Sequence, residues 1–593
     1  MQMRRLGWRI FKGFSEGQRQ ASGLNSKTQL LIDAYLFRRF NRLANVKRFV
    51  FGWIGIVVIL LIGLLIQNLA LGTYYQTLKP IPGGIYNEGV LGNFTNASPL
   101  YATNDADTTV SRLIFSGLLK YNSQGQLASD LASNYAVSDH GLIYTIHLKP
   151  HLTWQDGKPL TSSDVVFTYK LIQNPDAASP LQSSWQGIKV TAPNAGTVVF
   201  TLPGVLAAFP YNLTNGIVPR HLLSKIQPTD LRSANFNTVS PVGSGPFSWR
   251  AIQVSGNGNP TTEQEQIELV PFDHYAGGKP KLQQFVVHVF ASQPQLISAL
   301  ASGQLKAAEG LNAMPSQLKH KSSIIQYNLI MRAADMVFFK TSSGLFSDKS
   351  VRNSLVEGAN VPAIINHLSY KTIKVNEPLL SGQLAYNPAY AEAGFNLGAA
   401  KAILSSDGWT ASKQGFLVKN GQPLAFTLTA ADTPEDHVVA GLLQKQWLLL
   451  GVNMSVDYLD NLDFQSAINY HTYDAVLDGI SIGEDPDVFV YWDSTQADVR
   501  SNNLNLSEYS NPAADESLEA GRSRIDPAIR IAKYAPFLQA WQQDSPALAL
   551  YQPRLLYLTN GPVYGLSKDQ INSPTDRFAN VQNWEIRQTK VTN

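Results

Sequence analysis

Apolar and polar side chains alternate from Tyr144 to Lys149. Tyr144, Ile146 and Leu148 fall on one face, and Thr145, His147 and Lys149 on the other. A period of two predicts a strand with one buried face. Pro150 stops it, Leu152-Thr153-Trp154 resumes an extended run, and Asp156-Gly157 supplies a turn in which glycine takes φ > 0 at little cost. The period then changes to that of a helix, with an apolar stripe of Val165, Val166, Tyr169 and Ile172. Thr161 is placed to cap that helix, with Asp164 three residues on, a capping box with Asp in place of the usual Glu. Leu160 and Val165 fall where a hydrophobic staple would hold the chain's entry.

The same reading carries along the chain. Residues 85–91 read as a strand. Residues 108–119 read as a helix on Val110, Leu113, Ile114 and Leu118, closed by a turn at 122–125. Helices are expected at 294–301, at 396–409 with Gly408 as the stop, and through 444–450. Strands are expected at 423–428 and 452–458. Gly243, Gly245 and Pro246 mark a tight backbone passage. No repeat of solenoid type appears.

One apolar stretch has no period. Residues 49–66 carry no charged or strongly polar side chain. With 67–72 they are long enough to cross a hydrocarbon core of roughly 30 Å. The chain before them holds eleven Lys/Arg against Glu16 and Asp33, about +9 by charge, which leaves about −6 for the rest of a chain whose total is +3. Basic residues on that side predict a cytoplasmic N-terminus, with Tyr74 and Tyr75 at the far interface. The basic run is far too long for the start of a cleaved signal peptide, so an uncleaved anchor is favoured over cleavage at Ala70-Leu71-Gly72. Residues 30–49 read equally as a basic amphipathic helix on the inner leaflet or as a solvated helix.

At 593 residues the chain exceeds one core, so two or three domains are expected. Its 44% apolar and 15% charged residues describe a globular protein. The absence of cysteine excludes disulfides, thiolate catalysis and a Cys-anchored lipoprotein. No phosphate-binding Gly-x-x-x-x-Gly-Lys-Ser/Thr run occurs. Gly479-Ile480-Ser481-Ile482-Gly483 fits the nucleophile-elbow pattern of α/β-hydrolases, but that fold needs a histidine after the serine, and the last histidine is His471. His147 and His151 are four apart, yet Pro150 and the strand pattern keep them off one helical face. Catalysis and metal binding are therefore both poorly supported, and binding remains.

The run DHGLIYTIHLKPHLTWQDGKPLTSSDVVFTYKLI, and above all its WQDGKPLTSSDVVFTY portion, resembles the signature of the family 5 extracellular solute-binding proteins, the peptide- and nickel-type receptors of ABC importers. IVPRHLL followed by VSPVGSGPFSW, then IELVPFDHYAGGKPKL, NLGAAKAILSSDGW and the stretch from Glu508 to Pro553, are similar to further blocks of that family, in its order. The resemblance implies an α/β, bilobal, periplasmic-binding-protein-like ectodomain of the large three-subdomain type, preceded by one transmembrane helix. The expected divisions are a basic cytoplasmic tail (1–48), a transmembrane helix (49–72), a linker (73–82), a first part of lobe I (83–120), an inserted subdomain (121–238), lobe I continued (239–330), lobe II (331–545) and a C-terminal return to lobe I (546–593).

The resemblance also implies a function. The protein is expected to be a single-pass cell-membrane receptor, its main domain extracellular or periplasmic. It would bind an oligopeptide or related solute between two lobes and deliver it to an ABC permease, with no cofactor, no metal, no nucleic acid and no reaction catalysed. A sensor or scaffold using the same cleft is the alternative, and a serine hydrolase the third. The family's ligand strand corresponds to Asp478, Gly479, Ile480, Ser481 and Ile482, just before Asp485-Pro486. Phe464 stands where peptide binders present an aromatic, and Asn93, Phe94 and Thr95 are expected at a cleft edge. In typical peptide binders an acidic residue three before the Asp of Asp-Pro pairs with the peptide's amine. Ile482 holds that position, so Asp478, Glu484 or Asp485 must substitute, or N-blocked and non-peptide solutes should bind as well as free-amine peptides. An unpaired buried ammonium would cost several kcal/mol.

Overall fold

The computed structural model describes residues 46–74, 76–256, 264–501, 503–567 and 570–592. The basic tail and the expected amphipathic helix at 30–49 lie almost wholly outside them. The chain divides into two compact units, Met1–Lys79 with Gln588–Asn593, and Pro80–Arg587. The first holds a helix, Lys47–Tyr74. At 1.5 Å per residue its 28 residues measure about 42 Å. Within it Phe49–Asn68 is long and apolar enough to cross a membrane, and none of that window is buried in protein. The expected linker at 73–82 is not a plain linker: Gln76–Ile81 is a strand, paired with Arg587–Thr592 in a two-stranded sheet. Pro80 falls within that strand, and the edge of so small a sheet tolerates proline.

Three sheets organise the second unit. A seven-stranded sheet runs in the order Ile324–Ile330, Arg554–Asn560, Ala307–Ala308, Ile85–Leu91, Gln284–Phe290, Gln264–Pro271, Phe247–Ser255. Ile85–Leu91 lies parallel to both its neighbours. A five-stranded sheet has the order Asn453–Leu459, Ala425–Ala431, Ala475–Ser481, Ala333–Phe339, Ala547–Tyr551. It is covered on both faces by apolar clusters, one around Trp447 and Phe426, the other around Trp492 and Trp541. A four-stranded antiparallel sheet is built from Ala132–Ser138, Ile143–Leu148, Thr197–Thr201 and Lys189–Asn194.

The expected strand at 144–149 is the four-stranded sheet's Ile143–Leu148, and the expected turn and helix follow it. Gly157 takes φ +81°, and the helix runs Ser162–Gln173 from N-cap Thr161, whose N–H donates to Asp164 Oδ2 at 2.9 Å. Tyr169 stacks on Trp185 with ring centroids 4.0 Å apart. The helix read at 108–119 is Asp105–Ile114 instead, capped by Asn104. It stops early because at Gly117 the backbone passes so close to Thr214 that a Cβ would lie 2.6 Å from its carbonyl oxygen.

Two segments cross side by side between the seven- and five-stranded sheets. Ile324–Ile330 continues through Met331-Arg332 into Ala333–Phe339, and Ala547–Tyr551 continues through Gln552-Pro553 into Arg554–Asn560. The segments pair antiparallel on both sides of the crossing, and Met331 N–H donates to Pro553 O at 2.8 Å within it. The return to the first sheet therefore comes after Tyr551, not at 546. Ala547–Tyr551 is apolar and buried throughout, a pattern that fits either sheet.

One buried polar network ties the first sheet to the C-terminal segment. Arg577 donates to Glu88 Oε1 from Nη2 at 2.7 Å and from Nε at 3.0 Å. Tyr557 donates to Glu88 Oε2 at 2.7 Å, and Arg577 Nη2 also reaches Thr109 Oγ1 at 3.0 Å. Glu88 and Arg577 are 0% and 1% exposed.

Candidate functional site

A cavity of about 410 Å³ opens where the two large sheets face each other. Asp105, Glu309–Asn312, Pro553–Leu556 and Pro574 line it from the first sheet's side. Asp335, Ala431, Thr433, Glu435, Asp436, Phe464, Leu477, Asp478 and Gly479 line it from the second. Asp335 is set by its strand. Its pairing with Ala547–Tyr551 shifts register between Asp335 and Met336, and such a bulge re-aims a side chain. Across the sheet it pairs with Gly479, where a Cβ would stand 2.6 Å from Asp335 Oδ1. Asp436 is set by helix Pro434–Leu448, whose N-cap Thr433 accepts the Asp436 N–H at 3.1 Å.

The cavity is strongly acidic. Six carboxylates line it, with Arg554 the one Lys or Arg among the lining residues. Burial pushes Asp335 well above the ordinary carboxylate range, and Glu435, Asp436 and Asp478 add to the rise. Burial raises Asp436 to about 7 and Asp478 to about 6. Glu309, 2% exposed, is raised to about 7 by burial, against the pull of Arg577. Its Oε2 has no hydrogen-bond partner. Glu435 accepts from Tyr370 at 2.8 Å and from Tyr551 at 3.0 Å. Arg554 is held over the Tyr370 ring, 4.1 Å from its centroid, and donates to Asn328 and Ser369.

A second cavity, about 470 Å³, lies between the four-stranded sheet's segment and the second large sheet's segment. Its lining includes Gln126, Tyr211, Arg332, Gln383, Glu484, Asp485, Arg530 and Gln570. Its charged side chains each have a hydrogen-bond partner. Arg530 donates to Asp485 through two bonds of 2.7 and 2.8 Å. Glu484 Oε2 accepts the Leu127 N–H at 3.0 Å, and Arg332 Nη1 donates to Gly125 O at 3.0 Å. These last two bonds, with Ala207 N–H to Arg522 O at 2.9 Å, join the inserted segment to the second sheet's side.

The residues expected at a ligand site are therefore dispersed. Phe464, Asp478 and Gly479 meet in the acidic cavity, and Asp485 lines the other. Ile480 and Ile482 line neither cavity: both side chains are buried in the apolar cluster of Trp492 and Phe338. Ser481 is exposed at the strand's end, where its carbonyl accepts from Tyr491 at 2.7 Å. No helix starts directly after it, and among the described residues it bonds to no histidine. Asn93, Phe94 and Thr95 line neither cavity. Phe94 is buried with its N–H on Glu265, and Thr95 bonds Asp107 through N–H and Oγ1. Asp105, Glu309, Asp335, Glu435 and Asp436 escaped sequence reasoning, because nothing in their separate stretches shows that they meet. Among the described residues no group of three or more His, Cys, Asp or Glu is placed to hold a metal ion.

Comparison with known proteins agrees with this architecture. The model of the bacterial extracellular solute-binding proteins, family 5 Middle, matches residues 126–501. The oligopeptide-binding protein AppA of Bacillus subtilis is 25% identical over 488 residues, which span 80% of this chain and 87% of that protein. Its structure in complex with a nonapeptide aligns with a TM-score of 0.68, covering 86% of this chain and all of that one at 24% identity. The structure of NikZ from Campylobacter jejuni in complex with Ni(L-His) aligns with a TM-score of 0.71 at 23% identity, covering 85% of this chain and 99% of that one. The fold is thus α/β and periplasmic-binding-protein-like.

Proposed function

The chain belongs to the family 5 bacterial extracellular solute-binding proteins, and from that premise we propose that it is a membrane-anchored receptor that binds an oligopeptide or related solute between its two large sheets and passes it to an ABC permease. The observation that carries this reading is the acidic cavity, lined from both sheets across a double crossing. A ligand held there touches both lobes at once. Binding would thus favour one relative placement of the lobes, and the crossings at Met331-Arg332 and Gln552-Pro553 are the natural hinge. The anchor reading rests on helix Lys47–Tyr74, whose apolar window is unburied.

Two experiments test this. Mass spectrometry of small molecules co-purified with the full chain in detergent should recover a peptide or peptide-like solute; a consistent absence of any solute would count against a receptor role. Protease treatment of intact cells should digest the part after Tyr74 and spare an N-terminal tag. A secreted form starting near Thr73 would instead indicate cleavage.

A further inference from the structure

The acidic cavity holds more carboxylates than one ammonium group can answer. Asp335, Glu435, Asp436 and Asp478 stand on one wall, and Asp105 and Glu309 on the other. Arg554 is the one basic side chain in the lining, and its guanidinium already serves Asn328, Ser369 and the Tyr370 ring. Arg577 faces Glu309 from behind but is committed to Glu88. Two observations besides the acid count point to a ligand. Glu309 is 2% exposed, lines the cavity, and leaves Oε2 without a partner. A buried carboxylate in that state is costly unless something supplies a donor. Between the carboxylates stand Phe464, Leu311, Leu477 and Leu556, apolar surface suited to methylene stems.

We propose that this cavity selects ligands with two or more positive charges on aliphatic stems, either basic oligopeptides or free polyamines. The inference rests on the receptor reading and narrows its solute class. The carboxylates do not converge as a metal site would: no group of three among the described residues is so placed. Separate ammonium or guanidinium groups along one flexible ligand suit that spread better than a single ion. A cation between the two walls favours their ionised carboxylates, so closing the lobes on a cationic ligand would expel protons.

The test uses the full chain in detergent and calorimetry with four probes: a tetrapeptide with two arginines, the same peptide with citrulline at both positions, a neutral alanine tetrapeptide, and spermidine. The expected result is binding of the arginine peptide or spermidine, whichever source applies, with the citrulline and alanine peptides at least about tenfold weaker, as loss of a charge-assisted bond implies. Asp478→Asn and Glu309→Gln should each weaken the cationic probe about tenfold or more while unfolding cooperatively like the parent. Equal binding of arginine and citrulline peptides would overturn the polycation assignment and leave the receptor standing. So would unchanged affinity in Asp478→Asn. Failure of both cationic probes while the alanine peptide binds would do the same, and failure of all four, with no co-purified solute, would remove both readings.

Discussion

Glu88 in the first sheet and the carboxylates that line the cavity are treated in opposite ways. In the first sheet Glu88 is saturated, with Arg577 and Tyr557 filling its oxygens. At the cavity Asp335, Asp436 and Asp478 are gathered without a basic partner, and Glu309 keeps an empty oxygen. The first arrangement is complete within the chain and holds the C-terminal segment to the sheet. The second is incomplete, and the protein bears its cost in the free state.

The sharpest way to break that contrast is to remove the answer where it exists. Arg577→Met should leave Glu88 buried without a cation, with only Tyr557 donating to it, and destabilise the fold by about 3–5 kcal/mol in denaturant unfolding. Asp478→Asn should be neutral or stabilising in the same assay. A large loss in Asp478→Asn would mean that its carboxylate is structural after all.

A second substitution tests where the apolar boundary of the site runs. Ile482→Asp would place a carboxylate in the cluster of Trp492 and Phe338. A cost of roughly 2–4 kcal/mol is expected, with no gain in affinity for free-amine peptides. The sequence pointed to the opposite outcome, an added partner for the amine.

That difference shows what the sequence could and could not carry. Local signals were legible: the capped helix Ser162–Gln173, the strand Ile85–Leu91 and the left-handed Gly157 follow from spacing and turn chemistry. The family's order of blocks carried the α/β architecture. The burial of the Ile482 side chain among Trp492 and Phe338 was not legible, because those residues meet it only through tertiary folding. The five acids missed at the cavity come from four separate stretches, around 105, 309, 335 and 435, joined only by tertiary folding. Gly479 was named for a family motif, but its role here is room for Asp335.

Acid-base linkage gives a third prediction. Asp478, Asp436 and Glu309 titrate near 6, 7 and 7 in the folded protein, against about 4 when unfolded. The folded state therefore holds protons that the unfolded chain has released, and stability falls as pH rises from about 4 to about 7. For Asp478 the effect is of order 2 kcal/mol, and Asp478→Asn should flatten that part of the unfolding profile. Stability rising through this window would contradict the cavity's electrostatics.

Smaller effects come from the neighbours. Gly479→Ala puts a methyl against Asp335 Oδ1; about 1–2 kcal/mol of stability should be lost, together with some ligand affinity. Ser481→Ala should change stability by less than about 0.5 kcal/mol and leave binding intact. Labelling of Ser481 by an active-site serine probe, abolished by that substitution, would reopen hydrolytic chemistry.

The claim that the cavity's carboxylates await a cation has one direct readout, the proton count on binding. At pH 6.5 Asp478, Asp436 and Glu309 are each partly protonated. A cation beside them favours their ionised forms and must expel protons. Calorimetry of the full chain with its tightest cationic probe, run at that pH in buffers of different ionisation enthalpy, should show release of about one proton or more per ligand. Binding with no proton release, or with uptake, would contradict the account.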